Sequence, residues 1–248
     1  MIEPGDLFFL FIVGGAAGFV DAIAGGGGLL SIPALLWTGM SPLQAIATNK
    51  LQASMGSFTA TANYVRHGLV SPGKLWFAVF MTLLGAMTGA LLVQRLPNAW
   101  LETLVPVMLI IIALYFLFSK KIRLESGEQR ISLTAFSVLI GFTIGFYDGF
   151  FGPGTGSFFT IAFVLLLGYA LPQAIGGTKL LNFTSNVVAL GVFILSGHIL
   201  WLAGIVMGAG QILGSYLGSH MAIKHGGKLI RPMLVTISIL MSIKLLLD

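Results

Sequence analysis

Most of this chain is written twice. Phe19-Val20-Asp21, followed by Gly25-Gly26-Gly27-Gly28, returns as Phe146-Tyr147-Asp148, followed by Gly152-Pro153-Gly154-Thr155-Gly156. Ser41-Pro42-Leu43-Gln44-Ala45-Ile46 returns as Leu171-Pro172-Gln173-Ala174-Ile175, and Thr48-Asn49-Lys50-Leu51 as Gly177-Thr178-Lys179-Leu180. Gly85 and Gly89 match Gly210 and Gly214, and Pro106 matches Pro232. The offset drifts only from 125 residues (Gly85 to Gly210) to 130 (Pro42 to Pro172). A chain so constrained must fold as two copies of one unit. The repeat predicts units 1–118 and 132–248 joined by a polar linker, 119–131.

What each unit is made of follows from its polarity. Only 8% of the residues are charged and 56% are hydrophobic, against about a quarter charged in soluble domains. That excludes a soluble enzyme, a disordered chain and a nucleic-acid reader. The net charge of +5 then reads as basic cytoplasmic loops rather than a nucleic-acid partner. With no cysteine, thiolate metal sites and thiol nucleophiles are absent. A crossing needs about 20 apolar residues, and eight segments supply them: Leu7–Ala24, Pro42–Val65, Leu75–Leu96, Leu101–Phe118, Leu133–Phe150, Pro172–Ser196, Ile199–Met221 and Leu229–Leu247. Two shorter stretches, Leu29–Gly39 and Ser157–Tyr169, each follow a glycine cluster. The expectation is an all-α integral membrane protein with about eight full transmembrane helices plus two short, broken or re-entrant ones. The acidic start MIEPGD and the missing cleavage site predict that the first segment is retained.

Charge decides between parallel and inverted copies. If the short stretches do not cross, the basic loop residues divide almost evenly between the two sides. If they do cross, Arg66, Lys74, Lys120, Lys121, Arg123, Arg130, Lys224, Lys228 and Arg231 share one side, and Arg95 stands alone on the other. The positive-inside rule selects this second layout. Five crossings per unit is odd, so the repeats are expected to have inverted topology, with both termini outside the cytoplasm of an inner-membrane protein.

Charged groups deep in a membrane cost several kcal/mol and point to function. Asp21, Lys50, Asp148 and Lys179 are such groups, one Asp and one Lys per repeat. Alternatives are snorkelling at helix ends and structural pairing of Asp with Lys within each half. The glycine clusters Gly25–Gly28 and Gly152–Gly156 each end one helix and open another, which exposes amides at the positive end of a helix dipole. Glycines also serve tight helix crossing, but four in a row exceed that need. No Lys-Ser/Thr follows them, so they are not a nucleotide loop. Around the lysines lie Thr48, Asn49 and Gln52 in one half, and Thr178, Asn182, Ser185 and Asn186 in the other. Interhelical hydrogen bonding is one use for such residues; together with the lysines they make a site for a small oxyanion.

The runs AGGGGLLSIPALL, ATNKLQ, GFYDGFFGPGTGSFF and TKLLNFTSN resemble the sulfite exporter TauE/SafE family of membrane permeases, and within it bacterial inner-membrane members. The resemblance covers nearly the whole chain and implies transport of sulfite, sulfoacetate or a related sulfonate. It also implies that Gly25–Gly28, Asn49-Lys50, Gly152–Gly156 and Thr178-Lys179 lie at the transport site. The expected substrate-binding set is Gly25, Gly26, Gly27, Gly28, Asn49, Lys50, Gln52, Gly152, Gly154, Thr155, Gly156, Thr178, Lys179, Asn182 and Asn186. Asp21 and Asp148 are the proton-coupling candidates, because a carboxyl beside lysine at depth can titrate usefully. No catalytic residue, metal or cofactor is expected, and the partners are a small anion and the lipid bilayer, with oligomers possible. A passive anion channel using the same site is the alternative. An intramembrane enzyme is a further one, although His67, His198, His220 and His225 sit at loops or helix ends and form no metal pair.

Overall fold

A computed structural model describes residues 3–118 and 127–225; the expected last span, Leu229–Leu247, lies outside them. Nine helices fill the described residues: α1 (Pro4–Ala24), α2 (Gly28–Trp37), α3 (Pro42–Arg66), α4 (Trp76–Val93), α5 (Asn98–Phe118), α6 (Leu133–Phe150), α7 (Thr155–Leu167), α8 (Leu171–Ser196) and α9 (Trp201–His225). A short 3-10 turn, Pro72–Leu75, leads into α4, and α6 carries a π turn at Ser137–Gly141.

Local chemistry explains where these helices begin. Ser41 accepts from the Gln44 amide while the Gln44 side chain accepts from the Ser41 amide, a reciprocal cap that starts α3 just before Pro42. Pro172 sits in the first turn of α8, where its missing N–H costs nothing. Among the described residues, five helices are long and apolar enough to cross a membrane: α1, the Pro72–Val93 stretch ending in α4, α6, α8 and α9. The expected span Pro42–Val65 has the length, as α3, but not the apolarity. Its Thr48, Asn49, Lys50, Gln52, Ser54 and Ser57 are all buried against other helices rather than lipid, which is how a polar helix survives at depth.

The two copies interlock rather than lie side by side. In the first copy the order is α1 to α4; the matching order in the second is α6 to α9. The broadest packing joins α1 to α9 and α4 to α6, so each copy's fourth helix packs on the other copy's first. Each fourth helix also packs on the other copy's third, α9 on α3 and α4 on α8, and the two third helices meet at the centre. These seams are backbone against backbone. A Cβ at Gly85 would lie 2.1 Å from the Phe142 carbonyl oxygen, and one at Gly210 would lie 2.1 Å from that of Phe11. Only glycine allows helices this close.

Candidate functional site

Both helix breaks meet at the middle of this arrangement. Gly25 ends α1 with φ +80°, and a Cβ there would stand 2.3 Å from the carbonyl carbon of Gly156. A Cβ at Gly156 would in turn lie 2.4 Å from the Cα of Gly25. The two glycine loops therefore touch across the repeat boundary, and Ser157 fastens them by donating to the Ala24 carbonyl at 2.7 Å.

The four deep charges form two ion pairs, and each pair crosses between copies. Lys50 on α3 meets Asp148 on α6 at 2.9 Å, and Lys179 on α8 meets Asp21 on α1 at 2.8 Å. Pairing within each half, one of the expected alternatives, is thus replaced by pairing across halves. Each first helix packs on the other copy's fourth helix and on its own copy's third, and the cross-copy pairs form at the centre, where the two glycine loops and the two third helices meet. Both lysines are fully buried. An uncompensated ammonium there would be very costly, and the facing carboxylate removes most of that cost. Lys50 also donates to the Asp148 main-chain carbonyl, and the Ser185 hydroxyl donates to the Asp148 carboxylate. Asp21 accepts the Gly27 amide at 3.4 Å. The start of α2 thus already faces the protein's own anion, a favourable placement for a carboxylate.

Each third helix is also tied to the short helix before it. Ser31 of α2 donates to the Asn49 side-chain carbonyl, and at the matching place the hydroxyls of Thr160 (α7) and Thr178 (α8) lie 3.1 Å apart. Gln52 donates to the same Asn49 carbonyl at 2.6 Å, which leaves Asn49 only N–H groups to offer.

A small cavity, open at its mouth, lies between the loops and the third helices. Of the expected site residues, Asp21, Gly25, Gly28, Asn49, Gln52, Asp148, Gly152, Thr155, Gly156, Asn182 and Asn186 line it. Gly26, Gly27, Gly154 and Thr178 do not, and neither do Lys50 and Lys179, which stand behind the carboxylates they pair with. Ala53 and Gln211 also line the cavity, and neither is among the residues expected from sequence. Gln211 carries a readable signal, a lone amide in the apolar run Ile205–Leu213. Gln52, Asn182 and Gln211 are almost fully buried, and their side-chain carbonyls have no partner among the described residues. An amide presents either its carbonyl or its NH2 after a half turn, so this wall can donate to an oxyanion or accept from a protonated one. No cluster of three or more metal-ligating side chains occurs among the described residues.

Long apolar helices around a polar, charge-paired centre define a multi-pass membrane transporter. The comparisons supply the family: the model of the sulfite exporter TauE/SafE family matches residues 10–245, and the chain belongs to that family. It is 48% identical over 248 residues to the "Probable membrane transporter protein YfcA" of Escherichia coli K12, covering all of this chain and 92% of that one. It is 47% identical over 242 residues to a "Probable membrane transporter protein" of Haemophilus influenzae, covering 98% and 95%. The "Probable membrane transporter protein YunE" of Bacillus subtilis is 24% identical over 266 residues, covering 96% and 97%. No solved structure matches.

Proposed function

We propose that this protein is a secondary transporter of a small sulfur-containing anion, sulfite, sulfoacetate or another organosulfonate, coupled to protons and without enzymatic activity. One observation carries the reading: two buried lysine–aspartate pairs border a small, amide-walled cavity at the contact between the two copies. At rest each pair is neutral. A proton added to a carboxylate releases an ammonium charge, and one negative charge on the substrate replaces what the carboxylate gave up. Proton and anion then enter together, because either alone leaves an uncompensated charge in a low-dielectric interior. The cavity amides supply directed hydrogen bonds to the sulfonate oxygens.

Units 1–118 and 132–248, with linker 119–131, serve as inverted repeats that rock against each other around this site. The matched seams supply two equivalent sliding surfaces for such a motion. Both termini then face away from the cytoplasm. A C-terminal reporter active only in the cytoplasm stays dark on this topology, and a bright one refutes it.

Flux into proteoliposomes under an imposed pH gradient tests the transport reading, with sulfite, sulfoacetate, a longer sulfonate, sulfate and a carboxylate compared. Saturable flux that follows the gradient and disappears in K50A and K179A is expected. Flux indifferent to the gradient identifies a channel or uniporter instead. Unchanged flux in both lysine variants removes the site assignment.

A further inference from the structure

The two half-sites come from one repeated unit, yet they differ at three places. On the third helices, Gly56 of α3 corresponds to Ser185 of α8, by the offset that also relates Lys50 to Lys179. Ser185 donates to Asp148, so that carboxylate is held by a lysine and a hydroxyl and its side chain is only 4% exposed. Gly56 has no side chain to offer Asp21, whose carboxylate has Lys179 and one long amide contact and is 13% exposed.

The fourth helices differ in a matching way. Gln211 of α9 corresponds to Ala86 of α4. A Cβ at residue 56 would lie 2.3 Å from the Gln211 Cγ, so the missing side chain of Gly56 is the notch through which Gln211 reaches the cavity. Both main-chain carbonyls pack under a glycine of the facing first helix, Gln211 under Gly18 and Ala86 under Gly149, and only Gln211 adds a side chain that reaches the cavity.

The loops are the third difference. Tyr147 donates to the Pro153 carbonyl, and Thr155 donates to that of Gly152 at 2.6 Å. The all-glycine loop has Val20 where the other has Tyr147, and glycines carry no side chain to pin it.

We infer that the half-sites divide the work. The Asp21–Lys179 pair opens to the substrate anion and its coupled proton, with Gln211 contacting the substrate through the Gly56 notch, while Asp148–Lys50 stays closed as a tie between the copies. This rests on the anion-transport reading above. The step balances: one proton moves onto the Asp21 carboxylate, the Lys179 ammonium is released, and one substrate charge pairs with it. The groups facing Asp21 are few. Lys179 comes from α8, and Tyr64 of α3 donates to the Ala22 carbonyl at 3.1 Å. From α9 come the neutral Gln211 and Ser215, which pack on α1 at Gly18. The short helices α2 and α7 contribute no titratable side chain.

Two measurements on the full chain test this. Dicyclohexylcarbodiimide reacts with protonated carboxyl groups in apolar surroundings, and mass spectrometry of the detergent-purified protein locates the adduct. Faster modification of Asp21 than of Asp148 is expected, slowed by sulfite or sulfoacetate; equal rates, or a preference for Asp148, overturn the inference. In proteoliposomes, D21N is expected to lose accumulation driven by the pH gradient while keeping exchange of substrate for substrate. Q211A is expected to raise KM roughly tenfold, the size of one hydrogen bond to a charged group. Gradient-driven accumulation that survives in D21N overturns the inference. If the wild-type protein moves none of the anions, the transport reading falls, and the carbodiimide comparison still decides which half is open.

Discussion

The seams that join the two copies are near duplicates, whereas the half-sites they carry have diverged. Along α4–α6 and α1–α9, Gly85 and Gly89 match Gly210 and Gly214, and each of these four faces a main-chain carbonyl at a distance that no Cβ would permit. Around the half-sites, glycine in one copy stands where the other has serine, and glutamine where the other has alanine. The difference teaches where a duplicated membrane protein has room to change. Backbone-to-backbone contact accepts almost no side chain, so both seams have the same solution. A polar cavity accepts any set of side chains that satisfies its charges and hydrogen bonds, so the two walls need not match.

The largest effects are expected at the ion pairs. K50A leaves Asp148 as a buried charge without its cation and should cost about 3–5 kcal/mol, read as a fall in detergent melting temperature. K179A should cost less, because Asp21 is the more exposed carboxylate. The double variant K50A/D148A should recover part of the loss, which a double-mutant cycle measures directly. Equal losses for the two lysines would erase the asymmetry between half-sites.

The seams offer a sharper test of likeness. G85V and G210V each push a side chain into a facing carbonyl and should destabilise by about 1–3 kcal/mol or somewhat more. Because the seams match, the two losses should agree closely; a large mismatch would break the equivalence. A smaller effect is expected from Y147F, which removes the hydroxyl bond to Pro153 and should cost about 1 kcal/mol. The chain's lack of cysteine makes a final comparison clean. Q211C should react with a small polar thiol reagent and A86C should not, whereas equal labelling would place both fourth helices alike at the cavity.

Much of this molecule is legible in its amino-acid sequence. The two glycine breaks stand out as clusters too dense for packing alone, and the polar faces around Lys50 and Lys179 as hydrophilic runs in apolar helices. Eleven of the expected site and coupling residues line the cavity because repeat position and helical spacing both point at them. Gln211 escapes such a reading because a single amide among glycines looks like a packing position. The limited apolarity of α3 is present in its composition, but only its burial among other helices explains how it is accommodated.

The sequence by itself determined that the protein is a duplicated, helical membrane protein with four charges at matched repeat positions and two broken helices. Hydropathy and repeat spacing are local properties, and local properties carry that much. Only the tertiary structure decided which lysine meets which aspartate, and that both lysines stand behind carboxylates instead of facing the cavity. Spacing along a helix sets the face on which a charge lies, but not which helix lies opposite. In a low-dielectric interior each ammonium must meet a carboxylate, and the carboxylate that stands opposite each lysine comes from the other half.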